Sequence, residues 1–482
     1  MLAALPDSAR FVGVTDDGNS LGLTTGVRCA VRGPDGSLHF VFTRNNLQTG
    51  ESCQVYYTHS TDEGLTWSAL ADVSRNDSLY ATRPAVVVRP TGCPCCVWFE
   101  VVSLLDRPRW DYMFSELTDT GWTVPANISR TATTSDVAQQ ISATVDGGGR
   151  VHVAYEMLIQ GEPDIYYTAQ SGDTWLTPTL ISQSARDDGY PSLTCDSDGD
   201  LHLCWRLRGS DTGYVMYAKY DTTWSAPVCI GADTVAVNDQ CLAAGPDGRV
   251  HLVFTGYKSW GQLNRVYYRC LQGDTWTAPV MLSDGQTLGA FNSTAAVDGA
   301  NNVYAAWSQL DGHGGYQVVT RTLTNAWQPI VAITGDTGIM NACPRFIEAT
   351  TDTAAHLFWL RQNAWDAFMP ARFNIYYLRL RAAGQDIAEE VRVIPNGDGV
   401  SAVPNPFSAS VEFGFCATTE PRVVRVYSAT GALVRRLAVQ AGQVSVVWDG
   451  RIADGLEAPA GVYTVVVGDV AGCGSVRVVR VR

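Results

Sequence analysis

Lysine is almost missing from this chain. Lys219 and Lys258 are the only two among 34 basic residues, so arginine carries nearly all the positive charge. Acidic residues outnumber basic ones, 48 to 34, for a net charge of −14. A surface of that sign repels phosphate backbones, and nucleic acid is not an expected partner. No apolar run is long enough for a membrane span. The opening residues, MLAALPDSAR, show neither a basic n-region nor a long apolar stretch, so no signal peptide is visible. G-x-S-x-G, P-loop and H-E-x-x-H motifs are absent, which leaves the motif-defined hydrolases and nucleotide-binding enzymes without support.

What is present is aromatic, glycine-rich and globular. The chain has 482 residues, 45 glycines, 20 tyrosines and 14 tryptophans, with 46 % hydrophobic content. That length exceeds one ordinary core, so two or more domains are expected. Of the 13 cysteines, most fall inside alternating strand patterns and read as small apolar residues. Cys93, Cys95 and Cys96 form a C-P-C-C cluster without a partner C-x-x-C or H-x-x-x-H. Ligands would have to come from elsewhere in the fold, and no metal or other cofactor is expected. Cys195 with Cys204, and Cys416 with Cys473, lie close enough in sequence for pairing to stay open.

One block recurs seven times: a short strand, a turn centred on Asp-Gly or its equivalent, and a strand with an aromatic anchor. It reads GPDGSLHFVF (33–42), RPTGCPCCVWF (89–99), VDGGGRVHVAY (145–155), DSDGDLHLCW (196–205), GPDGRVHLVF (245–254), VDGANNVYAAW (297–307) and TTDTAAHLFW (350–359). Tyr-rich triplets such as VYY (55–57) and IYY (165–167) follow in most copies, then a Trp-x-x-Pro strand and a Ser. Trp67 to Trp327 spans 260 residues in five steps, or 52 per repeat. Four short strands per repeat of about 50 residues predict a seven-bladed β-propeller over residues 1–383. The seventh repeat lacks its Trp-x-x-Pro strand, and the N-terminal segment 9–15 is expected to supply it and close the ring.

His39, His152, His202, His251 and His356 occupy one repeat position, three residues before the aromatic anchor. An odd offset places the two side chains on opposite faces of the strand, toward different neighbouring sheets. Catalysis needs a histidine once, so these five are read as structural.

Ser60-Thr61-Asp62-Glu63-Gly64-Leu65-Thr66-Trp67 matches S-x-D-x-G-x-x-W in full, with degenerate traces at 171–175 and 273–276. The segment resembles the Asp box of sialidase-like (BNR) repeat propellers. In that family the box, here Ser60, Asp62, Gly64 and Trp67, is a structural turn distant from the active site. The resemblance also implies an arginine triad and a tyrosine nucleophile with a glutamate partner. Arg28, in VRCAV, lies where the family's F-R-I-P arginine falls, without the flanking Phe, Ile and Pro. Arg83 and Arg345 would complete a triad, with Tyr190 or Tyr257 as nucleophile. Sialidases have six blades against the seven repeats counted here.

Residues 384–400 lack the repeat and read as a linker. Alternating strands then run through VEFGF (411–415), VVRVYS (423–428), LVRRLAV (433–439), VSVVW (444–448), VYTVVV (462–467) and VRVVRV (476–481), which predicts a small Ig-like β-sandwich over 401–482. Pro404-Asn405-Pro406-Phe407, Trp448-Asp449-Gly450 and Pro459-Ala460-Gly461-Val462-Tyr463 resemble the Ig-like domain of flagellar hook-capping proteins and the C-terminal sorting domain of type IX secretion. That likeness implies export machinery as a partner, and an extracellular or outer cell-surface location in a Gram-negative-like bacterium.

The first strand of each propeller blade lines the central channel, and its start faces one rim. Those starts carry Arg28, Arg83, Gln140, Tyr190, Asp239, Asn292 and Arg345. Loop tryptophans Trp110, Trp260 and Trp365 are expected on the same rim, where aromatic rings stack on sugars and polar groups bond hydroxyls. A non-catalytic propeller binding a glycan or an extracellular protein there is the expected function. A glycan-active enzyme on the same rim is an alternative, with Glu100, Glu156, Asp239 and Tyr190 as catalytic candidates. A purely structural surface protein is the third.

Overall fold

Alternation and tight turns dictate strands, and the computed structural model is all-β. It describes residues 3–4, 12–13, 28–381 and 401–480, the last two stretches with short gaps. No helix occurs among the described residues. The chain divides into two compact units: residues 1–9, 17–63 and 68–388 form one, and 10–16, 64–67 and 389–482 the other. The linker 384–400 lies outside the described residues, and of segment 9–15 only Val12–Gly13 is described, as a two-residue strand.

In the larger unit, each repeat is one sheet built on three successive antiparallel strands, giving seven such sheets in chain order. The fourth is typical: Asp188–Cys195, Leu201–Arg208 and Gly213–Tyr220, with a short outer strand, Val228–Cys229. The sixth carries an addition that the repeat pattern does not announce. Ala3–Ala4 joins its outer edge as a parallel strand beside Val331–Ala332.

Each sheet buries its faces against its neighbours, and the apolar clusters are shared between consecutive sheets. Ala154, Ile165 and Tyr167 of the third pack with Leu193, Leu203 and Trp205 of the fourth. Cys204, Val215 and Tyr217 of the fourth pack with Leu242, Leu252 and Phe254 of the fifth. The seventh sheet returns to the first: Phe358 stacks on Phe40 at 4.6 Å, and Asp352 binds Arg32 at 2.5 Å. The inner strands of six sheets line one cavity of about 210 Å³, bounded by residues such as Val31, Val87, Ala143, Thr194, Ala244 and Phe346.

The repeated histidines and tryptophans are the contacts of this stacking. Each histidine Nδ1 meets a tyrosine hydroxyl on the next strand of its own sheet: His39–Tyr57, His152–Tyr167, His202–Tyr217, His251–Tyr268 and His356–Tyr377, all at 2.7–2.8 Å. Nε2 of His152 and His202 meets the turn carboxylates Asp146 and Asp196 at 3.1 and 3.0 Å. Where the sixth repeat has Tyr304 in place of histidine, its hydroxyl donates to Asp298 at 3.0 Å. The same tyrosines then receive the outer-strand tryptophan of the following sheet edge-on. Tyr57–Trp122, Tyr167–Trp224, Tyr217–Trp276 and Tyr268–Trp327 have ring centroids 5.0–5.2 Å apart at 76–81°. The Trp-x-x-Pro motif is thus an inter-sheet contact.

The smaller unit has sheets of three and four strands. Phe407, Val411, Val424, Val426, Trp448, Tyr463 and Val465 fill its core. The Trp448 indole N–H donates to the carbonyl of Arg451 at 2.8 Å.

Candidate functional site

Two rims of the seven-sheet unit demand left-handed backbone, and they meet the demand differently. At the turn between first and second strands, φ is positive at Gly36, Gly92, Gly149, Gly199 and Gly248, with values of 76–90°, and at Asn301. Glycine is the expected choice, because no Cβ meets the following carbonyl there. At the other end of the inner strands, five sheets carry an irregularity in pairing with the second strand. The residues at it are Arg83, Tyr190, Asp239, Asn292 and Cys343, every one with φ between 54 and 58°. None is glycine. Such a residue costs about 1 kcal/mol or more, least for Asn and Asp.

The backbone at these bulges is held by the preceding sheet. The N–H of Arg83 donates to Thr43 Oγ1 at 3.3 Å and that of Tyr190 to Glu156 Oε2 at 3.2 Å. Asn292 N–H donates to Asp239 Oδ2 at 2.9 Å and Cys343 N–H to Ser308 Oγ at 3.1 Å. Glycine would donate the same backbone bonds; of the five side chains, that of Asp239 accepts the Asn292 N–H and the Cys343 thiol lies 3.7 Å from Asn292 Oδ1.

Those side chains meet a line of alternating charge. Burial pushes the Glu156 carboxyl up to about 7, partly opposed by the Tyr190 N–H and by Arg206 and Arg83. The absent side chain of Gly189 lets that carboxylate in: a Cβ there would lie 2.8 Å from Glu156 Oε2. Arg206 lies over the Tyr190 ring at 4.4 Å and reaches Asp187 at 3.5 Å. Asp239 is also raised by burial, against the charges of Arg345 and Arg206. Tyr190, Pro191, Asp239, Gln240, Ser293, Thr294 and Arg345 line a niche of about 10 Å³, room for one water.

The structure brings together Arg83, Tyr190, Asp239, Asn292 and Arg345 of the expected set, and adds Arg206, Asp187 and Cys343. Proline directly after Arg83, Tyr190 and Cys343 is the sequence signal that marks this position. Three expected residues stand apart. Arg28 is buried in the cavity between the inner strands, where its guanidinium donates to the Leu193 carbonyl of the fourth sheet and burial lowers its pKa to about 10. Trp110 is not in a loop. It belongs to the strand Arg109–Thr118 and stacks on Phe99 at 4.7 Å and 5°. Gln140 is buried beside the second sheet, its carbonyl near the Tyr112 hydroxyl at 3.4 Å. Of the carboxylate candidates, Glu100 is buried and accepts from the Trp98 indole at 2.5 Å. Trp260 and Trp365 lie outside the described residues. In the Asp-box segment the Ser60 hydroxyl donates to Asp62 at 2.7 Å, Gly64 has φ 86°, and Trp67 is buried. Cys195 and Cys204 are free thiols.

Comparison with known proteins agrees with this architecture. Residues 109–334 match the BNR repeat-containing family member model, and residues 407–472 match the FlgD Ig-like domain. No curated protein matches significantly. Among solved structures, an ulvan lyase of polysaccharide lyase family PL25, bound to -[GlcA(1-4)Rha3S]-, superposes with a TM-score of 0.53 at 10 % identity, over 77 % of this chain and 96 % of its own. A Hadza microbial sialidase gives 0.40 at 16 % identity over 58 % and 63 %, and the NanB sialidase of Streptococcus pneumoniae, as a point mutant, 0.41 at 14 % over 77 % and 70 %. The chain is therefore similar to sialidase-like BNR-repeat proteins over residues 109–334 and to FlgD-type Ig-like domains over residues 407–472.

Proposed function

We propose that the seven sheets are the blades of a closed propeller whose inner-strand rim binds an acidic glycan. One observation carries this reading: five blades hold side-chain-bearing residues in a backbone conformation that the opposite rim gives to glycine and asparagine. Strain kept at equivalent positions, with a different side chain each time, is what a binding surface requires. Arg83, Arg206 and Arg345 face Glu156 and Asp239, whose carboxyls are both pushed toward neutrality, and so favour a ligand carrying carboxylate or sulfate. The positive face is local, within a chain of net charge −14. The N-terminal strand would close the seventh blade, and the FlgD-type unit would serve export or display outside the cell.

A panel of polyuronates, sulfated glycans and neutral glycans tests the reading. Acidic members should bind, weaken as salt rises, and lose about tenfold or more in affinity with Arg83→Gln. Equal binding of neutral and acidic members would count against it.

A catalytic reading rests on Glu156, whose pKa of about 7 suits proton transfer, next to the Tyr190 backbone. It requires release of unsaturated or reducing sugar ends, abolished by Glu156→Gln. Acidic glycan bound without turnover would leave the binding function alone.

A further inference from the structure

The C-P-C-C cluster lacks a metal partner in sequence, and the fold supplies one. Cys95 lies in the strand Pro94–Ser103 and pairs in register with Glu116 of Arg109–Thr118, so their side chains share a face. Cys93 stands just before that strand, and its thiol donates to the Leu117 carbonyl at 3.2 Å, next to Glu116 in the chain. Cys96 points the other way and is fully buried. The two sulfurs and one carboxylate oxygen lie within 4.8 Å of one another.

The geometry points to a binding site for a thiophilic divalent cation of the Zn²⁺ type, held by Cys93, Cys95 and Glu116. Tetrahedral coordination with Zn–S near 2.3 Å sets neighbouring ligand atoms about 3.8 Å apart, so closure needs shifts of no more than about 1 Å. Arg89 completes the charge balance. Two thiolates, one carboxylate and a dication sum to −1, and the guanidinium brings the cluster to zero. Arg89 binds Glu116 Oε2 at 2.8 Å and Gln170 Oε1 at 2.7 Å, which fixes the carboxylate and leaves its second oxygen to the metal. Cys95 is buried and Cys93 half-buried, while the half-buried Glu116 lines a groove together with Arg89, Gly149, Arg150, Gln170 and Asp173.

The test titrates Zn²⁺ into the full-length protein after chelator treatment under reducing conditions. One equivalent should bind, with release of up to two protons per ion as the thiols ionise. Affinity should fall by about tenfold or more in Cys93→Ser and in Glu116→Gln, and stay unchanged in Cys229→Ser, which alters an exposed thiol elsewhere. Co²⁺ in place of Zn²⁺ should give a thiolate-to-cobalt charge-transfer band that Cys93→Ser weakens. Glu116→Gln decides the matter should the serine variant not fold. No saturable binding, or binding unchanged by both variants, would overturn the site.

Discussion

The two rims of the seven-sheet unit solve one backbone problem in opposite ways. On the turn rim the left-handed position goes to glycine or asparagine, and the neighbouring side chains repeat: histidine, tyrosine, aspartate, tryptophan. On the inner-strand rim the left-handed position goes to Arg83, Tyr190, Asp239, Asn292 and Cys343. Repetition of identity marks a part that the fold needs in every copy. Repetition of geometry with varied identity is what the proposed binding rim would show.

This contrast can be broken by substitution on each side. The largest effect is expected on the turn rim. His202 is buried, with two hydrogen bonds to Tyr217 and Asp196, and His202→Ala should destabilise the unit by about 3 kcal/mol in chemical denaturation. Trp122→Ala, which removes the edge-on partner of Tyr57, should cost a similar amount, about 2–3 kcal/mol. A loss under 0.5 kcal/mol in both, on the order of an ordinary surface change, would contradict a structural role.

Acid should act through the same histidines. Burial lowers the pKa of His39 and His251 to about 4, from 6.5, and lowers those of His152, His202 and His356. The unfolded chain therefore binds protons first. Stability is complete above about pH 6.5 and falls as pH drops toward 4, by on the order of 3 kcal/mol for each of His39 and His251 once protonated. Asp146 has a lowered pKa and adds loss in the same direction as it protonates. Denaturation midpoints at pH 7 and 5 check this, and a flat profile would refute it.

The smallest effect on stability is expected at the inner-strand rim. Arg83→Gly removes the strain of φ 54° and should leave stability within about 1 kcal/mol of the original, while binding suffers. A large destabilisation there would make Arg83 a packing residue like the histidines.

Much of this fold was legible in the sequence, since repeats, turn glycines and alternation are local. The opposite-face expectation holds at His152 and Tyr155. His152 bonds Tyr167 at the fourth-sheet interface, and Tyr155 meets Tyr112 of the second sheet at 4.5 Å. The site was less legible. A bulge is a backbone event, and only the prolines after Arg83, Tyr190 and Cys343 hinted at it. Arg28 counts as an inner-strand residue by position, yet its long side chain reaches the fourth sheet, a distance that spacing does not encode. Trp110 looked like a loop residue because the hairpin's length hid how early its second strand begins. The partnership of Cys95 with Glu116 likewise depends on strand register, which the intervening loop sets.

The most direct test compares affinity for a polyuronate in the original protein, in Arg83→Gly and in Trp122→Ala at a temperature where all three are folded. The account predicts that Arg83→Gly loses about tenfold or more in affinity with its melting point nearly unchanged, and that Trp122→Ala keeps its affinity while melting earlier. Unchanged affinity in Arg83→Gly, or no measurable affinity in the original protein, would contradict the claim that the inner-strand rim is a ligand-display surface.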